Sequence, residues 1–337
     1  MVRIHNVIIT YIFAFAIFFG ATYFIYNWYS VDTYSVNTNT GEVIRDIDSK
    51  ESLSELKRAK PYIDNILTND IEIRTQAAYI VENCENGDRE CQVNEIYRWV
   101  VNNLNYLSDP RVAEVIQSPK ETLSIKGGDC EDLGALLNSL LENIGIPTYI
   151  VLTDNHAYTL ACDLDIEKLR KYVIEDLIEK NAKEFEKELL PNNVQYFGGD
   201  VDSGITLHYE LEASSGVDIY VVPSKEEFNN IVENKGFNYF PSCSDKNVVE
   251  YKATCKLNND GGIVIRNNRD LSIRYRIKIS SIAESDVVIL YYSDVFGKKC
   301  IPLDATAGKY GYPGYSASLQ GEKIAIDPIS ENFIYLK

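Results

Sequence analysis

The run from Pro119 to Val151, PKETLSIKGGDCEDLGALLNSLLENIGIPTYIV, leaves this chain few choices of local structure. Leu133, Leu136, Leu137, Leu140, Leu141 and Ile144 fall at offsets of 0, 3, 4, 7, 8 and 11, the spacing of one buried helix face. Asp129 suits the N-cap, and Asp132 can reach back to it as in a capping box. Gly145 and Pro147 end the helix, and Tyr149 to Leu152 reads as a strand. The helix therefore begins at Cys130, with the thiol at the edge of the apolar face and turned towards the sheet that the face covers. Free N–H groups at a helix start favour thiolate, whereas Asp129, Glu131 and Asp132 oppose it. A reactive Cys130 needs a cationic partner; without one it is a small buried cap residue.

Only three histidines could supply that partner. His5 precedes an apolar span, and His208 lies in the alternating strand ITLHYELE. His156 opens HAYTLACDL directly after the Tyr149 to Leu152 strand and a Thr153-Asp154-Asn155 turn, which returns it to the helix start. Thiol and imidazole so placed form an activated-nucleophile pair, and such a base wants a third group to fix its tautomer.

Together GGDCEDLGALLNSLL, GIPTYIV, NHAYTLA and the distant CIPLDATAG resemble the transglutaminase-like branch of the papain-like cysteine enzymes. The helix and Tyr-x-x-Asp segment IYRWVVNNLNYLSDPR, from Ile96 to Arg111, is similar as well. The resemblance covers roughly Ile71 to Asp163 and Cys300 onward. It implies a Cys130, His156 and Asp304 triad and an α+β core with N-terminal helices packed on an antiparallel sheet. His156 and Asp304 are 148 positions apart, which reads as an insertion between adjacent strands, tolerable because loop-closure cost grows only logarithmically. Asp163 and Asp165 are rival orienters nearer in sequence, but Asp163, seven residues along the same strand, is too far to touch the imidazole.

Around this core the chain divides into a transmembrane signal-anchor (1–29), a polar linker (30–49), the first part of the core (50–163), an inserted helix plus β-sandwich-like module (164–282) and the second part of the core (283–337). Val7 to Tyr26 holds 20 residues without charge, enough to span about 30 Å of hydrocarbon. Arg3 precedes it and the next basic residue is Arg45, so the expected location is the membrane, single-pass, with the N-terminus inside and the bulk of the chain extracytoplasmic. A cleaved signal peptide is the alternative, and it too exports the domain. Helical pattern runs from Lys50 to Asn83 and from Cys91 to Asn103, with Ile80, Ile96, Trp99 and Val100 as core. The segment DIEKLRKYVIEDLIEKNAKEFEKELL reads as one amphipathic helix with Ile166, Leu169, Val173 and Leu177 on its stripe. The strands ITLHYELE, GVDIYVVP, NVVEYKATCKL, GGIVIRN and LSIRYRIKIS, with a short helix SKEEFNNIVEN, suggest the sandwich; Tyr220, Phe237, Tyr239 and Phe240 read as its core, with a recognition surface as the alternative. DVVILYYSD reads as a further strand, and KIAIDP and FIYLK as closing ones.

The formal charge is −17, from 33 basic against 50 acidic residues, which disfavours a nucleic-acid partner because phosphate binding needs a basic face. Seven cysteines leave six if Cys130 is free. Cys84 and Cys91 flank a turn between helices, and Cys243 and Cys255 fall together in the module. If His156 pairs opposite Asp304, residue sums near 460 place Cys162 beside Cys300, and even separations put them on the triad's face. No cysteines have C-x-x-C spacing and histidines are too few for zinc, so no metal or cofactor is expected. Three readings follow. The first is a cysteine hydrolase (peptidase) or acyltransferase that acts on a protein or peptide substrate through a thioester. The second is a non-catalytic surface binding or scaffolding protein working through its β-module. The third is a structural envelope protein. Neither oligomeric state nor a substrate-binding residue can be read from the sequence.

Overall fold

The computed structural model describes residues 49–109, 115–198, 204–258, 260–315 and 322–336, with side chains from residue 57 onward. The apolar span Val7 to Tyr26 and most of the polar linker lie outside the described residues. Among those described, no helix is long and apolar enough to cross a membrane.

Three helices come first: α1 (Ser49–Asp64), α2 (Ile71–Ile80) and α3 (Arg89–Asn103). The pattern expected to run unbroken from Lys50 to Asn83 is interrupted before Asp70, which caps α2 by accepting from the Glu72 and Ile73 amides. A two-residue parallel bridge, β1 (Asn105–Tyr106) with β2 (Gly127–Gly128), flanks α4 (Pro119–Ile125) and leads into α5 (Cys130–Glu142).

α5 is the central helix. Leu136, Leu137, Leu140 and Leu141 are fully buried, and burial of each such side chain contributes about 1.5–3 kcal/mol. They pack with Ile73, Ile96, Tyr97 and Val100 of α2 and α3 on one side and with the sheet residues Ala161, Ile301 and Leu303 on the other. Three of its buried polar side chains tie it to its neighbours. Ser139 accepts the Leu67 amide at 2.9 Å, Asn143 accepts the Asp70 amide at 2.9 Å, and Asn138 donates to Thr159 at 2.9 Å. Gly145, at φ +81°, supplies the left-handed exit that the sequence asked of it.

The helices cover a fully antiparallel six-stranded sheet. In chain order its strands are β3 (Thr148–Leu152), β4 (Ala157–Cys162), β11 (Tyr292–Val295), β12 (Lys298–Leu303), β13 (Lys323–Ile326) and β14 (Phe333–Leu336). In space they run β11-β12-β4-β3-β13-β14. The neighbours β4 and β12 are thus separated in the chain by everything from 163 to 297.

That excursion holds α6 (Ile166–Asn181), β5 (Lys183–Leu189), β6 (Val194–Gly198), β7 (Ile205–Val222), α7 (Lys225–Val232), β8 (Asp245–Leu257), β9 (Gly262–Arg266) and β10 (Ile273–Ile282). Its strands form a second antiparallel sheet in the order β5-β10-β7-β9-β6, with β8 also on β7. The single helix expected from Asp165 to Leu190 is in fact a helix and a strand. KEFEKEL alternates with period 2, and pairing sets Glu184, Glu186 and Glu188 opposite Lys278, Arg276 and Arg274, which outweighs their helix propensity. ITLHYELE and GVDIYVVP are likewise one 18-residue strand, β7, bent at two register shifts. β10 pairs with its first half and β9 with its last residues, so one apolar core, including Leu207, Leu211, Ile219, Ile263, Ile265 and Ile277, gathers both halves. Of DVVILYYSD only the end is strand. Tyr220 is buried in an edge contact with Phe237, and Tyr239 stands 37% exposed beside them.

Three disulfides link Cys84 to Cys91, Cys162 to Cys300 and Cys243 to Cys255; Cys130 is free. Cys162 and Cys300 are direct partners in the β4–β12 register, whose residue sum is 462 throughout. They lie with Tyr158, Leu160 and Val295, on the sheet face away from α5. His156 and Asp304 lie just past the strand ends, and the imidazole stands 6.0 Å from the ring of Tyr158, a residue of that same face.

Candidate functional site

α5 starts where the sequence places it. Asp132 Oδ2 accepts the Asp129 amide at 3.3 Å, closing the capping box. Asp132 is held in turn by Gln117, whose amide and side chain donate to it at 2.8 and 2.7 Å. The glycine before the cap is obligatory, because a Cβ on Gly128 would stand 2.5 Å from the Asp132 Cβ. Cys130 is the first residue of the helix, half-buried, and packs with Ala135, Ile150, Leu152 and Ala157.

His156 and Asp304 meet. The His156 Nε2 lies 2.9 Å from Asp304 Oδ2, across 148 positions of sequence. Asp304 is fully buried, and its other oxygen accepts from Thr306 Oγ1 at 2.6 Å and the Thr306 amide at 3.2 Å. Tyr97 Oη donates to the Asp304 carbonyl at 2.9 Å, tying α3 to the same corner. Burial opposes the Asp304 charge, yet the hydrogen bonds from His156 and Thr306 outweigh it and hold the carboxyl below its usual range. An ionised Asp304 can only accept, so Nε2 carries the ring hydrogen and Nδ1 keeps the lone pair. The rival carboxylates are engaged elsewhere: Asp165 caps α6, and the nearest cation to Asp163 is Lys298 at 4.0 Å.

Cys130 and His156 line one cleft of about 330 Å³, together with Arg58 and Tyr62 from α1 and the Thr153 to Asn155 turn. Among the described residues no hydrogen bond joins the sulfur to the imidazole. Instead Cys130 Sγ donates to Glu131 Oε2 at 2.9 Å. Burial first, then the bond to Glu131 and its charge, push the thiol up to about 12, and the Ala157 N–H pulls it only partly back. The cationic partner that the sequence called for does not offset the carboxylates at rest. The dominant partner of the sulfur is one of the carboxylates that the cationic partner was needed to overcome.

Sequence reasoning passed over Arg58, Tyr62, Gln117 and Thr306. Thr306 alone had a signal, two positions after Asp304, where a hydroxyl can reach back to the carboxylate it follows. The others arrive from α1 and from the turn before α4, and no spacing relates them to Cys130.

Residues 74–169 match the family model of the transglutaminase-like superfamily, a span that holds Cys130 and His156. No curated protein matches the chain. Solved structures similar to it include PliG, a periplasmic inhibitor of g-type lysozyme from Aeromonas hydrophila, at 7% identity over 30% of this chain and 87% of that one, with a TM-score of 0.24. The pre-peptidase C-terminal domain of a collagenase from Bacillus anthracis is similar at 10% identity over 29% and 88%, with a TM-score of 0.22. The Yersinia pseudotuberculosis-derived mitogen is similar at 11% over 30% and 85%, with a TM-score of 0.22. Likenesses this distant bear on neither the site nor its chemistry.

Proposed function

From the premise that residues 74–169 form a transglutaminase-like domain, we propose that the chain is a cysteine acyl-transfer enzyme working through Cys130, His156 and Asp304. The observation that carries this reading is the 2.9 Å contact from His156 Nε2 to a fully buried Asp304, made behind a cleft that His156 lines together with Cys130, the free cysteine among the described residues. The contact leaves His156 Nδ1 as the acceptor for the thiol proton. Cys130 Sγ adds to the carbonyl carbon of a protein or peptide amide while its proton passes to Nδ1. The oxyanion gains the Cys130 backbone N–H, the first of α5, which has no helical turn before it to bond to. Collapse breaks the C–N bond, the imidazolium gives its proton to the leaving amine, and a thioester remains. Water or an amine then attacks with the proton steps repeated. Because the resting thiol is neutral and bonded to Glu131, the thiolate forms with the substrate in place.

The same reading puts the domain outside the cytoplasm, on a membrane anchor formed by the N-terminal apolar span. Three disulfides support an oxidising compartment. The test is to incubate the full chain with a tryptic peptide mixture as acyl donor and a biotinylated alkylamine as acceptor, and to read hydrolysed and aminated products by mass spectrometry. Products that vanish in Cys130→Ala and fall at least 100-fold in His156→Ala support the enzyme. Products unchanged in either variant reject it. One observation favours a non-catalytic binding role, namely that Cys130 Sγ is bonded to Glu131 Oε2 at 2.9 Å and not to the imidazole, and that reading expects no acyl-Cys130 adduct with any donor.

A further inference from the structure

We propose that the cavity between α3 and α6 is a binding site for a small zwitterion, an α-amino acid with a short side chain or none. The cavity holds about 150 Å³ and lies between Tyr97, Arg98 and Asn102 of α3 and Asp176, Glu179 and Lys180 of α6. At about 30 Å³ per water it has room for about five waters, the size of glycine, alanine or serine. It falls well short of the roughly 300 Å³ at which sites for drug-sized ligands begin. It shares no lining residue with the cleft of Cys130 and His156. One side chain separates it from the triad, since Tyr97 Oη donates to the Asp304 carbonyl at 2.9 Å.

The charges of the lining select the ligand. Arg98 and Lys180 are balanced by Asp176 and Glu179, so an ion of either sign would bring an excess charge into the cavity, whereas a dipolar molecule would not. Arg98 takes one oxygen from each carboxylate, Asp176 Oδ1 through Nε and Glu179 Oε2 through Nη2 at 3.3 Å, and also holds Glu95, which does not line the cavity. Among the described residues nothing donates to the second oxygen of Asp176 or of Glu179. Lys180 stands one turn beyond Asp176, at the i+4 spacing that lets lysine and aspartate pair, yet no ion pair or hydrogen bond joins it to any described residue. The Asp176 side chain is only 16% exposed, and burial raises its carboxyl to about 6 even with Arg98 beside it. Loss of solvent lowers the Lys180 ammonium from its usual range; Asp176 opposes this, and Arg98 and Lys309 add to it. One anion and one cation, a helical turn apart, are thus left without full compensation. An α-amino acid carries the complement at matching separation, its ammonium for the open oxygens of Asp176 and Glu179 and its carboxylate for Lys180 Nζ.

The experiment is calorimetric titration of glycine, L-alanine and L-serine into the full chain at pH 7.5, where Asp176 is ionised, with acetate and ethylammonium as the two halves of the ligand. We expect one site per chain, L-alanine bound at least about tenfold more tightly than either half, and an affinity at least about tenfold weaker in Asp176→Asn and in Lys180→Gln. Lys180 is an exposed residue in the last turn of α6, so Lys180→Gln keeps the fold and decides the matter if Asp176→Asn unfolds. Cys130→Ala is expected to bind as wild type, and since no turnover is read, failure of the acyl-transfer reading leaves this result standing. No saturable binding of the three amino acids up to about 50 mM, acetate or ethylammonium binding as tightly as L-alanine, unchanged binding in Lys180→Gln, or binding lost in Cys130→Ala would each overturn the proposal.

Discussion

Removing the Cys162–Cys300 bridge tests the topology at the point where the site is assembled. The bridge closes a loop of 138 positions, enclosing α6 and the whole second sheet. Chain entropy scales with the logarithm of that length and gives about 17 cal/mol/K, or about 5 kcal/mol at 25 °C. The Cys84–Cys91 bridge, closing a loop of 7, is worth about 2 kcal/mol on the same scale. Both Cys162 and Cys300 are fully buried, so replacement by alanine also loses packing. The measurement is urea unfolding of Cys162→Ala/Cys300→Ala against Cys84→Ala/Cys91→Ala, followed by circular dichroism. With a slope of about 3 kcal/mol/M, the first variant should lose at least about 1.7 M in its midpoint and the second about 0.7 M. If the two lose equally, or the first loses less, the long excursion is not a freely fluctuating loop in the unfolded chain and the reasoning is refuted.

Other outcomes follow from the site and its surroundings. In Asp304→Asn the Thr306 donors keep the amide oxygen, the amide nitrogen faces His156 Nε2, and the proton moves to Nδ1; product formation should fall about 10³–10⁴-fold with the fold intact, and a fall under tenfold would contradict the tautomer assignment. Alkylation of Cys130 by iodoacetamide should rise about tenfold per pH unit from pH 8 to 11, as a thiol near 12 requires, and Glu131→Gln should speed it at pH 8; a plateau near pH 9 would refute the burial and Glu131 account. Burial raises the Asp176 carboxyl to about 6 beside Arg98, so the folded chain binds a proton there before the unfolded chain does. Stability should therefore grow as pH falls from about 6 towards 4, and Asp176→Asn should flatten the Tm–pH curve in that window.

Much of the core was legible because its signals are local. A leucine stripe at helical offsets, an Asp-x-x-Asp cap and a Gly-x-Pro stop need no tertiary information, and α5 occupies Cys130–Glu142 accordingly. The closeness of β4 and β12 depended on resemblance, since nothing within the chain announces a partner 138 residues away. Where the reading failed, it failed through tertiary choice. KEFEKEL carries good helix formers but becomes β5 because β10 offers it three opposite charges. Glu131 was recognised as hostile to the thiolate, but not as the atom that the thiol itself would choose. Rotamer and burial decide that, and neither is written in spacing.

The order of the strands has a consequence for synthesis. A nascent chain emerging from the ribosome presents Cys130 and His156 long before Asp304, and the imidazole has no carboxylate until β12 has paired with β4. Any product truncated in the second sheet carries a thiol and a histidine without the residue that orients them. The pairing of the imidazole with its carboxylate is thus delayed until β12 arrives, after the whole second sheet has been made.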